Sequence, residues 1–519
     1  MQRNIMKDTI LLTVIQMVLD GLGLLLNVFM TDVLGTEAIG MLSLTASFFA
    51  LAATTASGNV FLCASRFLSE ELGKPQRDPL RVLRYCLGVS LVLSGLTAAV
   101  ICLFAPFFST KFLHDEALTF PIRMMAGALP VLTVTACMRG YFNACCYVKI
   151  CAVSDALGFL VRCLLMALVV WFITPETGTG LCSMTALCTV GGSLAALVYL
   201  LLNFRSRRAM RTGKVSISLP CYLRLAVPVM AGSALTSLLS SANDALVPIT
   251  LQQAGNSTGD ALSQFGIFEA IIIPTLFFPS TILCSLSGIL VTETARESAA
   301  CNKQRIAQLS EKVIRQTLVF AVFVTALLLR FGHGLGMMLG GGEIGGRMIV
   351  LLAPVVPFIY LEIVLESLIK GMGAQGFSSL NYLAEYIIRI SAVLVCIPLF
   401  GFYGIVISYY ASNVCGNLAR LVMVLRKTEL KPQWERILGI PVFSAVLAVQ
   451  VPDALCLLLR IEADTNALTM GGYALVCGLL YLLVQRMLFS GNVTGFVDIS
   501  RKLCYNELQE KTVRGKHLS

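Results

Sequence analysis

Charge is scarce in this chain. Only 13% of its 519 residues are Asp, Glu, Lys or Arg, about half the quarter share usual in soluble domains, which is too little to cover a water-facing surface of ordinary size. Histidine is scarcer still. His114, His333 and His517 lie far apart in the sequence, which argues against a His-based metal site or a Ser/His/Asp triad. No phosphate-cradling Gly-Lys-Ser/Thr is present, since the Gly-Lys pairs at Gly73, Gly213 and Gly515 are followed by Pro75, Val215 and His517. Polar stretches are few: Asn203 to Tyr222, Thr292 to Lys312 and Gly491 to Ser519. None is long enough to bury a catalytic core of its own, so the chain reads as something other than an enzyme.

What it has instead is apolar length. Hydrophobic residues make up 57% of the chain and the mean hydropathy is +0.82, while one membrane-spanning helix uses about 20 apolar residues. Reading the apolar runs between polar breaks predicts an all-α, polytopic membrane protein with about 14 spanning helices. They fall at 8–30, 40–64, 84–106, 123–146, 150–172, 181–203 and 225–250, then at 264–290, 314–336, 348–369, 379–400, 402–425, 437–459 and 467–489. The 18 cysteines, among them Cys63, Cys137, Cys163 and Cys415, sit mainly inside these runs. They read as small apolar fillers and not as a disulfide framework.

Positive charge then sets the orientation, because Lys and Arg accumulate on the cytoplasmic side of a membrane. With the N-terminus inside, the cytoplasmic segments hold 32 of the 39 Lys and Arg and the outside segments hold five. Both termini are therefore expected in the cytoplasm of a multi-pass protein of the cytoplasmic membrane, and the net charge of +10 needs no nucleic acid to explain it. The run following Arg3 and Lys7 is too long for a signal-peptide core and is read as the first span.

Weak self-similarity at a spacing of about 220 to 231 residues superposes spans 1 to 6 on spans 7 to 12. Gln76-Arg77 after span 2 matches Gln304-Arg305 after span 8, and Arg139-Gly140 after span 4 matches Lys370-Gly371 after span 10. A repeat of an even number of spans keeps its orientation, which gives two bundles related by an axis along the membrane normal. The expected division is a six-helix bundle over 1–203, a basic linker over 204–222, a second six-helix bundle over 223–430, an extra helix pair over 431–490 and a cytoplasmic tail over 491–519.

Several of these residues, in their order, carry a resemblance. They are Arg139-Gly140-Tyr141-Phe142 followed by Ala152-Val153-Ser154 and Arg162; Pro228 and Asp244 with Leu251 to Gly255; Gln264-Phe265-Gly266 through Pro274 and Pro279 to Thr292-Glu293; and Lys370-Gly371-Met372-Gly373. The set resembles the polysaccharide and oligosaccharide-lipid flippases, in the superfamily that also holds the multidrug and toxin extrusion proteins. The resemblance covers nearly the whole chain. It implies two six-helix bundles that pass a polyprenyl-pyrophosphate-linked saccharide between leaflets by alternating access, with membrane lipids as surroundings. It also implies a monomer and no cofactor, with a proton or sodium ion as candidate for coupling. The first span departs from the pattern, since Ile10 to Met30 carries Asp20 and no arginine. The alternative reading is accordingly a cation-coupled exporter of the multidrug and toxin extrusion type, which usually has twelve spans where this chain has an extra pair.

Charges retained within spans cost at least about 2.5 to 3.5 kcal/mol at a helix centre, so they mark bundle interiors or wet cavities. Asp20, with Gln16 one turn before it, reads either as a proton or cation site or as a hydrogen bond to a neighbouring helix. Asp155 and Arg162 share a stripe on span 5, and Glu385 and Arg389 can pair at i and i+4 on span 11. Each arginine is either neutralised by its own acid or aimed into a cavity where a guanidinium fork suits pyrophosphate oxygens. Glu362 and Glu366 repel each other on one face of span 10, so one is protonated or both meet a cation. Asp244 and Glu269 read as packing hydrogen bonds or transport ligands. Arg66 and Arg139 read as topology anchors or as the first cations an anionic headgroup meets. Prolines within spans, including Pro130, Pro228, Pro274, Pro279, Pro354 and Pro357, free backbone carbonyls and allow bends.

The charge asymmetry has a direct test. In a cysteine-free background, single cysteines at Ser257 and Asp464 should react with an impermeant thiol reagent added outside, and cysteines at Ser206 and Ser519 should be protected. The opposite labelling would invert the topology.

Overall fold

A computed structural model of the chain describes residues 5–72, 78–111, 118–145, 147–173, 178–206, 218–300, 302–430, 432–459 and 467–488. Among these every regular element is helical, as expected for a chain whose backbone must satisfy its own hydrogen bonds in lipid. The first helices are α1 (Ile5–Leu34), α2 (Thr36–Ser57), α3 (Val60–Leu72), α4 (Pro79–Leu103), α5 (Ala105–Lys111), α6 (Thr119–Ala144), α7 (Val148–Ile173), α8 (Gly178–Ser206), α9 (Leu219–Gln253) and α10 (Thr258–Ile267). They are followed by α11 (Ile273–Phe277), α12 (Thr281–Ala299), α13 (Lys303–Met338), α14 (Gly342–Leu352), α15 (Val356–Gly371), α16 (Gln375–Phe400), α17 (Gly404–Thr428), α18 (Ile440–Leu459) and α19 (Ala467–Leu488).

Thirteen helical stretches among the described residues are long and apolar enough to cross a membrane. One of them, Gln375–Thr428, runs for 54 residues, far beyond the 20 or so a bilayer needs. It is two helices, α16 and α17, folded back at the turn Gly401–Tyr403. Dividing it there recovers the fourteen spans read from the apolar runs.

Proline places the breaks. The stretch Thr258–Ser298 is interrupted by a π-turn at Phe268–Ile272, by Pro274 opening α11 and by a 3-10 turn at Phe278–Ser280 that holds Pro279. Pro354 sits in the 3-10 turn Ala353–Val355 between α14 and α15, and Pro357 opens α15. Each lacks the amide proton that a continuous ladder needs, so the helix changes pitch around it. Pro130 and Pro228 lie inside α6 and α9.

The helices form two compact units. Unit N is Leu25–Gly266 and contains α2 to α10. Unit C is Met1–Leu24 with Ile267–Ser519 and contains α11 to α19, so that α1 is shared between them. In unit N a core of Val60, Leu68, Cys86, Cys137, Tyr141, Phe142 and Tyr222 joins α3, α4, α6 and α9, with the Phe67 and Tyr222 rings edge to face at 5.1 Å. Lipid is as apolar as leucine, so close backbone approach drives such packing. A Cβ on Gly40 of α2 would lie 1.8 Å from the Leu262 carbonyl oxygen of α10. In unit C the pair α18 and α19 docks on α13. Tyr481 Oη donates to the Val319 carbonyl at 2.8 Å, Tyr473 Oη donates to the Val449 carbonyl at 2.9 Å, and Arg330 Nε lies 2.8 Å from Asp453 Oδ1.

The α16–α17 turn depends on Gly401, whose φ of 58° and ψ of −139° belong to a region that side chains do not tolerate. Gly401→Ala should destabilise the protein by about 1–3 kcal/mol, seen as a lower melting temperature in detergent. An unchanged melting temperature would contradict this account of the turn.

Candidate functional site

Three carboxylates of unit C converge on one residue. Arg420 of α17 is 0% exposed. Its Nη2 lies 3.2 Å from Glu362 Oε1, its Nη1 3.0 Å from Glu385 Oε2, and its Nε 3.5 Å from Glu366 Oε2. Nη1 also donates to Asn417 Oδ1 at 3.2 Å, and the Tyr382 ring lies 4.5 Å from Cζ. Two further cations complete the set. Lys370 Nζ is 3.1 Å from Glu366 Oε1, and Arg389 Nη2 is 3.3 Å from Glu385 Oε1. Arg389 also donates from Nε to Ser412 Oγ at 3.0 Å and packs on the rings of Tyr386 and Tyr409, at 5.6 and 4.7 Å. Three carboxylates thus face three cations across α15, α16 and α17, and the cluster is neutral. Of the two readings of the Glu362 and Glu366 pair, both meeting a cation is the one observed, and Arg389 takes the internally neutralised alternative.

Unit N is different. A cavity of about 460 Å³ opens between α2, α6, α7 and α8. Small residues make it: a Cβ on Gly192 of α8 would lie 2.4 Å from the Gly158 carbonyl of α7, and one on Gly158 would lie 3.2 Å from Ala196 Cβ. Arg139, Asp155 and Arg162 line it. The expected pairing within α7 does not occur. Asp155 reaches across to α6, where its Oδ2 sits 2.6 Å from Arg139 Nη2, because the neighbouring helix brings a guanidinium closer than two turns of its own helix can. Arg162 is exposed, with its guanidinium 5.8 Å from the Phe159 ring, and among the described residues no carboxylate pairs with it. Arg139 Nε and Ser154 Oγ are buried without a hydrogen-bond partner. The cavity carries two guanidinium groups and one carboxylate, which favours an anion.

The remaining candidates are spread through both units. In unit C, Asp20 accepts from Gln16 Nε2 at 2.8 Å through Oδ1 and from Thr281 Oγ1 of α12 at 2.7 Å through Oδ2, the interhelical hydrogen bond that was one of its two readings. Glu269 lies in the π-turn Phe268–Ile272. In unit N, Asp244 of α9 accepts from Ser47 Oγ of α2 at 2.5 Å, and Arg66 is exposed on α3. Among the described residues no three His, Cys, Asp or Glu side chains gather to hold a metal ion.

Arg420 was missed by sequence reasoning, which counted it with Arg426 to Arg436 as a cytoplasmic charge. The signal was present in the unpaired acids of spans 10 and 11: Glu362, Glu366 and Glu385 outnumber Arg389 and Lys370, so one more cation had to face them.

The two arginines predict opposite behaviour. Arg420→Gln strands buried carboxylates and should cost about 3–5 kcal/mol, whereas Arg162→Gln should leave the melting temperature of the purified protein unchanged. A larger loss from Arg162→Gln would overturn this assignment of roles.

Residues 5–249 match the family described as polysaccharide biosynthesis protein. Stage V sporulation protein B of Bacillus subtilis (strain 168) is 22% identical over 403 residues, covering 76% of this chain and 78% of its own. The lipid II flippase MurJ in an inward closed conformation superposes with a TM-score of 0.68 at 10% identity, over 93% of this chain and 99% of its own. An inward-facing MATE family transporter of the MOP superfamily gives 0.62 at 14% identity, over 80% and 94%. The resemblance to the polysaccharide and oligosaccharide-lipid flippases is thereby borne out. The chain is a multi-pass membrane protein with the fold shared by the lipid II flippase and the MATE transporters of the MOP superfamily, and its first half matches the polysaccharide biosynthesis proteins.

Proposed function

We propose that the protein carries a polyprenyl-pyrophosphate-linked saccharide, a precursor of wall, capsule or spore polysaccharide, across the cytoplasmic membrane by alternating access, with both termini in the cytoplasm. The observation that carries this reading is an apolar groove of about 790 Å³ in unit C, lined by α13, α15, α17 and α18. Leu329, Leu418, Trp434, Leu438, Val442 and Val446 line it and remain 42–48% exposed. Such a surface suits a long hydrocarbon chain. One of the extra pair, α18, supplies much of its wall. The names of stage V sporulation protein B and of the lipid II flippase point the same way. Asp20 has both oxygens occupied by hydrogen bonds, which fits a structural role better than a coupling site.

Cells lacking the protein should accumulate a polyprenyl-pyrophosphate-linked saccharide on the cytoplasmic leaflet, and deleting Gly439 to Leu488 should give the same accumulation. Asp20→Asn should lower transport without stopping it. If no lipid-linked intermediate accumulates and Asp20→Asn alone abolishes export of a cationic dye, the protein is a cation-coupled exporter.

A further inference from the structure

The ion cluster of unit C and the cavity of unit N are the same place in an internal duplication. Gly192-Ser193-Leu194-Ala195-Ala196-Leu197-Val198 of α8 aligns with Gly416-Asn417-Leu418-Ala419-Arg420-Leu421-Val422 of α17, with five of seven residues identical. The helices before them follow in register. Gly158 and Arg162, at i and i+4 on α7, fall on Glu385 and Arg389 of α16, and Arg139-Gly140 on Lys370-Gly371 sets Thr135 on Glu366. Contacts within each unit agree with this alignment. A Cβ on Gly416 would meet Glu385 Oε2 at 2.7 Å, as one on Gly192 meets the Gly158 carbonyl. A Cβ on Gly140 would press on the Phe61 carbonyl of α3 at 2.8 Å, as one on Gly371 presses on the Val291 carbonyl of α12 at 2.9 Å.

The alignment explains both the cavity and its charge. Where unit C has Glu385, Glu366 and Arg420, unit N has Gly158, Thr135 and Ala196, and all three line the open space. The central Arg420 and two of its carboxylates are gone, but the two outer cations, at the positions of Lys370 and Arg389, are kept. Arg162 stands where Arg389 stands, with glycine in place of its glutamate. Arg139 stands where Lys370 stands, and it has turned to Asp155.

We infer that the unit N cavity is an oxyanion site, with a phosphate or pyrophosphate group held by Arg162 and Arg139 in the space that the Glu385 and Glu366 carboxylates fill in unit C. A guanidinium fork matches phosphate oxygens as it matches a carboxylate. Ser154 Oγ and Arg139 Nε, buried without partners, supply further donors. Asp155 holds Arg139 while the site is open and gives it up when the anion enters. The inference rests on the lipid-linked reading only for the source of the phosphate, which is either the headgroup of a polyprenyl pyrophosphate or a free anion.

The test uses the full chain in lipid nanodiscs with three probes: inorganic pyrophosphate, a polyprenyl pyrophosphate and the neutral polyprenol. Arg162→Gln should weaken pyrophosphate binding at least tenfold with no change in melting temperature, and Arg162→Lys should restore part of it. Thr135→Glu, which returns a carboxylate to the site, should also weaken binding tenfold; if that variant does not fold, Arg162→Gln decides alone. Pyrophosphate bound equally by wild type and Arg162→Gln overturns the site. If the polyprenyl pyrophosphate binds more tightly than pyrophosphate and requires Arg162, both the site and the lipid-linked reading are supported. Arg162-dependent binding that gains nothing from the tail supports the site and overturns the lipid-linked reading. Tight binding of the polyprenyl pyrophosphate that is indifferent to Arg162 overturns the site and leaves the lipid-linked reading standing.

Discussion

A guanidinium placed among membrane helices must be met by carboxylates, by water or by a ligand, because hydrocarbon solvates it with nothing. That requirement organises both units. In unit C it is met internally: Arg420 is closed over by Glu362, Glu366 and Glu385, and the excess acid is balanced by Lys370 and Arg389. Substituting one member exposes the others, so the cluster ties α15, α16 and α17 into one block. In unit N the requirement is met only in part. Arg139 has Asp155, while Arg162 faces an open cavity.

Glycine and proline provide the frame in which these charges sit. Close crossings such as Gly158 on Gly192 bring α7 and α8 together, and the absence of side chains at the crossing leaves space beside it. Proline acts along the helices: Pro274, Pro279 and Pro354 interrupt the ladder within long apolar stretches. The freed carbonyls need partners, and Tyr360 Oη donates to the Leu276 carbonyl at 3.1 Å beside one such break. The C-terminal pair, held to α13 by Arg330 and Tyr481, adds an apolar wall that a twelve-helix chain would lack.

Much of the fold was legible because membrane helices are written in composition. Apolar runs located the spans, and the turn at Gly401–Tyr403 fell where two runs met without a polar break. Gln16 and Asp20, one turn apart, do lie on one face and hydrogen-bond. Pairing between helices was less legible, since spacing along one helix says nothing of its neighbour. Asp155 was expected near Arg162 by periodicity and instead meets Arg139 from the helix before it. Arg420 looked like a topology charge because Arg426 and Lys427 follow it within two turns, yet it faces inward while they do not. The cavity was invisible for a related reason. Gly158, Thr135 and Ala196 carry no charge, and they become informative only beside Glu385, Glu366 and Arg420.

The central claim is that this protein moves a lipid-linked anionic saccharide from one leaflet to the other. Proteoliposomes loaded with a polyprenyl-pyrophosphate-linked disaccharide, probed from outside by a sugar-modifying enzyme that cannot cross the membrane, measure that movement directly. The lipid of the inner leaflet should become reachable much faster with the protein than in protein-free vesicles. If it becomes reachable no faster, while the same preparation drives a cationic dye across the bilayer, the account is contradicted.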